Sequence, residues 1–370
     1  MKIVLFYHSV ISDWNHGNAH FLRGIATELY RLGHEVRILE PANGWSLSHL
    51  VEERGEAAFD DFERNFPRLT PNFYHLENPN LDPYLRDADL VIVHEWNDPF
   101  LIELVGRKKR EFGYKLLFHD THHRAKSEPD AMNRNRLAAY DGVLAFGDPI
   151  RDLYLKNGWV DKAWTWYEAA DDAHFYPRRP PYKEGDLVWV GNWGADRCAD
   201  FFEEILIKPV RDLKISATLY GSGFPDPLLE KIRRAGIRFK GYLPSTAIPE
   251  VYSKYHCTIH IPRSPYCDEL PGIPTIKTFE AMACGIPLLS APWRDAHMLF
   301  KPGEDFLISH NAREMTRNLN QVIKSETLRS YLSRNGLRTV QEKHLCSHRV
   351  EQLFGILRQI ETVNQSRLHS

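Results

Sequence analysis

Short apolar runs alternate with stretches of helical period along most of the chain. The runs at 3–7, 36–39, 90–93, 114–118 and 142–146 are apolar almost throughout, as expected of strands buried on both faces of a parallel sheet. Between them apolar residues recur three and four apart. Leu22, Ile25, Ala26, Leu29 and Leu32 line one side of a helix predicted over 21–32, which Gly33 ends. Helices are predicted likewise over 100–112 and 149–156. A second series follows, with strands at 187–190, 215–220, 237–242, 258–261 and 286–290. Its helices are 199–208, one opened by Pro274 and stopped by Gly285, then 314–322, 326–343 and 347–362. Strands alternating with helices predict an α/β fold with parallel sheets. Residues 41–86 break the rhythm: polar and irregular, with a helix over 48–66, they read as an insertion.

The 370 residues allow two or three domains. Residues 178–185, rich in Pro and Arg, read as a linker. A net charge of −2 argues against a general nucleic-acid binder. The aromatic share of 12%, with 9 Trp and 16 Tyr, suits a protein that stacks on rings. The five cysteines form no Cys-x-x-Cys pair, and their scatter suggests reduced thiols and a cytoplasmic setting. No apolar run approaches the ~18 residues of a spanning helix, and the first six residues are too short for a signal peptide. The run Arg107–Arg110 has two readings: contact with an anionic acceptor or membrane surface, or a solvated helix end.

Polar residues gather where predicted strands end, the edge at which open parallel sheets bind ligands. Gly17 and Asn18 stand at the entrance of the first helix. The third strand of the first series ends near His94-Glu95-Trp96-Asn97-Asp98, the next near His119-Asp120-Thr121-His122-His123-Arg124. Three readings of the second cluster stand. It holds a metal, although the spacing fits no standard zinc pattern. His119 does acid–base work with Asp120 beside it. Or His119 caps its strand structurally. In the second series, Gly191-Asn192-Trp193-Gly194 follows a strand and opens a helix, an entrance suited to phosphate, with Arg197 at its end. The stretch 257–305 reads strand, Pro-rich loop, helix, strand. Lys277 sits in the first turn of that helix, ready to answer a phosphate. Glu280, one turn on, can accept from a ribose diol. The alternative is that the two form an ion pair of little value.

Lys277-Thr-Phe-Glu-Ala-Met-Ala-Cys-Gly-Ile-Pro287 resembles the donor-site helix of GT-B glycosyltransferases. It is most similar to the CgeB-like branch, with the retaining family-4 transferases as cousins. The resemblance covers nearly the whole chain. It implies an α/β GT-B fold: two Rossmann-like domains facing a cleft, residues 1–176 for the acceptor, 177–345 for the donor, and 346–370 crossing back onto the first. It places a nucleotide-sugar donor, UDP-linked, against Glu280, Lys277, Thr275 and Ile276. Arg263 and Arg197 would hold the diphosphate beside Gly191 and Asn192, and Tyr242, with Leu219 and Tyr220, would wall the base. Many relatives carry a sugar-contacting Glu where this chain has Gly272, with Asp268 and Glu269 slightly upstream. His119 matches the His that meets the donor sugar or acceptor. Gly17, Asn18, His94, Glu95 and His122 fall on the acceptor side.

The function so implied is transfer of a sugar to a hydroxyl, with retention, on a glycan, lipid, protein or small molecule. No cofactor is expected. No Asp-x-Asp pair is present to hold a metal, so turnover is expected without one. Rival readings are a non-catalytic nucleotide-sugar-binding protein of an envelope or spore-coat assembly, and a GT-B nucleotide-sugar epimerase.

Overall fold

The computed structural model describes every residue except 296, 369 and 370, and every side chain of these except 268 and 363–368. The end of the 346–370 segment and the side chain of Asp268 therefore lie outside the described residues. The chain divides into two compact units: Met1–Glu168 with the segment from Cys346 on, and Ala169–Leu345. The sequence reading put the first boundary at 176. The division falls earlier because Ala170 pairs with Leu345 in an isolated bridge, tying this stretch to the end of the second unit.

Unit 1 is built on seven parallel strands: β1 (Lys2–Phe6), β2 (Glu35–Pro41), β3 (Pro71–Tyr74), β4 (Leu90–His94), β5 (Lys115–Asp120), β6 (Gly142–Ala145) and β7 (Ala163–Thr165). Their order is β3-β2-β1-β4-β5-β6-β7, so the winding reverses between β1 and β4. β1, β4 and β6 are buried almost throughout, as their unbroken apolar runs require. The helix Ala19–Arg31 covers the sheet with Leu22, Ile25, Ala26 and Leu29 buried. The last helix, Cys346–Leu368, belongs to this unit, where Arg349 Nε donates to the Tyr167 carbonyl at 2.8 Å.

The sequence missed β3 and β7. β3 hides in the polar stretch with only Tyr74 of its four residues buried, and β7 shows no fully buried residue. The helix predicted over 48–66 is two helices, Trp45–Arg54 and Ala57–Asn65, because the chain turns at Gly55. The basic run lies on the helix Pro99–Phe112, where Lys108 pairs with Asp82 and Glu111, and Lys109 with Asp141. Two of its four charges are thus met within the unit.

Unit 2 has six parallel strands: β8 (Gly185–Val190), β9 (Ala217–Tyr220), β10 (Arg238–Phe239), β11 (Tyr255–His260), β12 (Leu288–Ser290) and β13 (Leu307–Ile308). The order β10-β9-β8-β11-β12-β13 reverses between β8 and β11. The core gathers Trp189, Phe202, Ile205, Leu219, Cys257, Ile259, Leu289 and Leu319. Leu219, proposed for the base wall, is fully buried core. At the carboxyl edge, the Gly221 N–H donates to the Gly241 carbonyl at 2.7 Å. A Cβ on Gly221, whose φ is +154°, would meet the Gly191 carbonyl oxygen at 1.8 Å. These loops close on each other only because glycine stands there.

The helix expected from Pro274 begins two residues later, at Ile276, with Thr275 as its N-cap. The segment predicted over 199–208 runs on to Leu213, with a π-helical turn at Glu203–Ile207. All five cysteines are free thiols. Among the described residues, no helix is long and apolar enough to cross a membrane.

Candidate functional site

In unit 1 the sheet reversal brings His8, just past β1, against His94, the last residue of β4. Their Nδ1 atoms lie 3.3 Å apart and the rings stack at 21°. β5 pairs in register with β4 so that His119 sits opposite His94. His16 packs edge-on against His8 with ring centroids 4.0 Å apart. All four imidazoles are buried. Burial pushes His8 and His119 down to about 3 and His16 and His94 well below the ordinary range. They are therefore neutral bases and hydrogen-bond partners near pH 7. The Nε2 atoms of His8, His16 and His119 are buried without a partner.

The predicted residues of this unit fall as follows. His119 is walled by Trp166 at 4.8 Å, His94 at 5.3 Å and Phe21 at 5.8 Å. Asp120 accepts from the Tyr154 hydroxyl at 2.7 Å and from the His122 N–H at 2.9 Å. Glu95 accepts the Thr121 N–H at 2.8 Å. Burial, and then the charge of Asp120, push Glu95 well above the carboxylate range, and burial raises Asp120 as well. Asp120 has two firm donors, so the pair resolves as an ionised Asp120 and a protonated Glu95. Asn18 donates to the Thr121 carbonyl at 3.2 Å, linking the first helix to the loop after β5. Gly17 lies exposed in the preceding turn. His122 packs on Trp96 at 5.2 Å and on His123 at 4.0 Å.

Sequence reasoning passed over His8, His16 and the two residues that hold their loop. Glu40, fully buried at the end of β2, accepts from the Ser9 hydroxyl at 2.7 Å and the Val10 N–H at 2.8 Å. Arg23 grips the same loop from the first helix, donating to the Val10 and Ile11 carbonyls at 2.7 and 2.6 Å. The available signal was position: His8 follows directly on the first strand.

In unit 2 a cleft of about 570 Å³ opens at the carboxyl ends of β8, β11 and β12. Cys198 and Phe201 line it from the segment after β8, Ser264 and Cys267 from that after β11, and Pro292, Trp293 and Arg294 from that after β12. The Trp293 indole N–H is buried without a partner. Trp293 and Arg294, which the sequence reading left out, are polar-tipped residues directly beyond a strand, the same cue used at His119.

The predicted donor residues are largely engaged with one another. Arg197 stacks over Trp189 at 5.2 Å and donates to the carbonyls of Asn192 and Ile261 at 2.8 and 3.1 Å. Burial brings it down to about 9. Arg263 pairs with Asp196 at 2.5 Å. Lys277 pairs with Glu280 at 2.6 Å, so the ion pair weighed from the sequence is present. It is no surface pair, since Glu280 is 0% exposed and its carboxylate needs such a partner. The Asn192 side chain accepts from the Ser222 N–H at 3.1 Å, and Gly191 donates to the Tyr220 carbonyl at 3.0 Å. Tyr220 is buried and Tyr242 half-buried.

Thr275 holds the N-cap position but makes no side-chain bond to the helix; its hydroxyl meets His260 Nε2 at 3.0 Å, and His260 Nδ1 meets Ser290 at 2.9 Å. The N-cap residue thus offers no side-chain acceptor to the first turn at Ile276. Gly272 has φ +92°, a backbone that glutamate adopts only with strain.

Residues 199–355 match the model of a family described as glycosyl transferase-like. Anabaena HepE, solved with UDP and glucose, is 16% identical, with 97% of this chain and 99% of that one covered and a TM-score of 0.68. Sucrose-phosphate synthase from Thermosynechococcus elongatus is 13% identical over 98% and 99% of the two chains, with a TM-score of 0.64. S. aureus TarM is 12% identical over 96% and 99%, with a TM-score of 0.65. Among curated proteins none matches. The two-sheet architecture is the GT-B fold, and residues 199–355 are similar to the glycosyl transferase-like family.

Proposed function

We propose that this chain, GT-B in fold and glycosyl transferase-like over 199–355, is an enzyme that moves a sugar from a UDP-sugar to an acceptor hydroxyl. The observation that carries the reading is the cleft of unit 2. It stands outside the carboxyl ends of β8, β11 and β12, at the reversal of the sheet, and apart from Cys198 its lining residues belong to the stretch that matches the family. The diphosphate takes the uncapped N–H groups at Ile276, with Lys277 and Arg263 turning from their carboxylates toward it. Glu280, released from Lys277, accepts from the ribose. Trp293 and Arg294 offer donors to the sugar or phosphate. In unit 1, His119 is the proposed catalytic group of the acceptor side, and Asn18, His94, Glu95 and His122 shape its surroundings. These groups stand in for a metal, so divalent ions are not needed. Retention of configuration is the outcome the family resemblance favours.

A specific observation favours a second reading. Lys277, Arg263 and Arg197 are all engaged within the unit, and Gly272 replaces the sugar-contacting Glu. A protein that binds a nucleotide-sugar without turning it over fits those facts. Incubation with a panel of UDP-sugars, followed by UDP release, separates the two. Release above the uncatalysed rate, lost in His119→Ala, supports the enzyme. Saturable binding without release supports the binding protein.

A further inference from the structure

Unit 2 has another cavity, of about 490 Å³, at the edge of its sheet opposite the cleft. Its walls come from residues that lead into strands. Tyr252 and Ser253 run into β11, and 285–287 run into β12. These are amino ends of parallel strands, so the cavity shares no lining residue with the cleft at the carboxyl ends. Arg178 and Lys183 reach it from the chain before β8. The helix Glu326–Lys343 presents Glu326, Arg329, Ser330 and Ser333, which its period puts on one face.

Three permanent cations, Arg178, Lys183 and Arg329, thus meet at one cavity, with His256 beside them. Glu326 is the one carboxylate of its described lining. Among the described residues no carboxylate pairs with any of the three cations. The neighbouring Lys254 differs, since it meets both Glu184 and Glu250. Part of the charge has a local use. Lys183 Nζ donates to the Ser253 and Tyr255 carbonyls at 2.6 and 3.0 Å. Arg329 Nη1 donates to the Val322 and Ile323 carbonyls at 2.8 and 2.6 Å. Both side chains so close a helix end. That leaves the third N–H of the Lys183 ammonium, and the Nε and Nη2 groups of Arg329. Arg178 makes no hydrogen bond to a described residue and rests over the Tyr176 ring at 4.7 Å. Partial burial, then the charge of Arg329, pushes Lys183 down. Burial, then Arg329 and Lys183, does the same to His256. The groups repel one another around the cavity, and a bound anion relieves that repulsion.

We infer that this cavity is a binding site for a phosphomonoester, separate from the cleft at the carboxyl edge. The Arg178 and Arg329 guanidinium forks and the Lys183 ammonium supply donors to its three terminal oxygens. The volume is that of a small-ligand site. It leaves room for an organic part against Pro177, Ile286 and Pro287. The shared chemistry is a terminal phosphate, carried by a soluble metabolite or by a lipid headgroup. The inference rests on unit 2 alone and needs nothing from the transferase reading.

Calorimetric titration of glycerol 3-phosphate into the full chain should show saturable binding at millimolar concentration or below. Arg178→Gln and Lys183→Gln should each weaken it about tenfold or more, the worth of a charge-assisted hydrogen bond. Glu326→Gln should bind at least as tightly as the parent. Arg211→Gln, which removes an exposed cation outside the cavity, should bind like the parent. Flotation with vesicles of phosphatidic acid in phosphatidylcholine, against phosphatidylcholine alone, separates the two sources. Capture that Arg178→Gln abolishes puts the phosphate on a lipid; titration without capture makes it a soluble metabolite. Either result supports the site. Without any variant, the imidazole resonances of His256 should move on titration while those of His260, at the other end of β11, stay. Neither binding nor capture overturns the inference. So does binding undiminished in both Arg178→Gln and Lys183→Gln, and so do resonances that move at His260 and not at His256.

Discussion

The two sheets reverse their winding at comparable points, β1 against β4 and β8 against β11, yet the two edges carry opposite chemistry. The edge of unit 1 is lined by buried imidazoles held neutral by desolvation, three of them with an unpartnered nitrogen. The edge of unit 2 carries guanidinium and ammonium groups, glycine loops and a helix start without a side-chain cap, and beside them a cleft of about 570 Å³ to which Trp293 and Arg294 contribute. Neutral bases suit hydroxyl groups and protons; cations and backbone N–H groups suit a leaving diphosphate. The proposed division of labour therefore rests on the residues that follow the strands, not on the strands themselves.

The comparison can be broken most severely at Gly221. Gly221→Ala sets a Cβ against the Gly191 carbonyl and should cost more than about 4 kcal/mol, or prevent folding of unit 2; a urea melt near parental stability would show that the loop packing matters little. Next is His119→Ala. It should lower kcat by about 10²–10⁴-fold, with UDP affinity unchanged; unaltered turnover would remove His119 from the chemistry. A smaller effect is expected at Glu40, which burial raises to about 7. Because the folded value lies above the unfolded one, its contribution is full below about 4.5. It is lost as pH rises through 7. Parental stability should therefore fall by roughly 1–3 kcal/mol between pH 5 and 8 through this group alone. Glu40→Gln should flatten that slope, as thermal melts across pH would show. The smallest expected effect is that of EDTA: turnover should not change. Loss of activity restored by Mg²⁺ or Mn²⁺ would mean that the unit 2 cations do not suffice.

The strands buried on both faces were legible because an unbroken apolar run has few other uses. β3 and β7 were not, since neither buries a continuous run and each is recognised only by its neighbour. The helix entrance at 276 was placed within two residues, and Lys277 and Glu280 were found by their spacing. That they bond each other, and that Glu280 is sealed from solvent, is a tertiary fact. His119 was found because it ends a strand. His8 also follows one, but its weight comes from His94, Thr121 and Glu95, which lie 86 or more residues away along the chain and meet it only across the sheet reversal. Glu40 and Arg23 were invisible for a related reason: a charge that grips a loop from another element looks, in one dimension, like a surface charge.

Calorimetric titration of UDP into the parent, His119→Ala and Glu280→Gln tests the division of labour most directly. The account predicts saturable binding to the parent, the same affinity in His119→Ala, and weakening by roughly 1.5–3 kcal/mol in Glu280→Gln, the worth of a hydrogen bond to a charged group. Binding lost in His119→Ala and kept in Glu280→Gln, with both proteins folded, would contradict it.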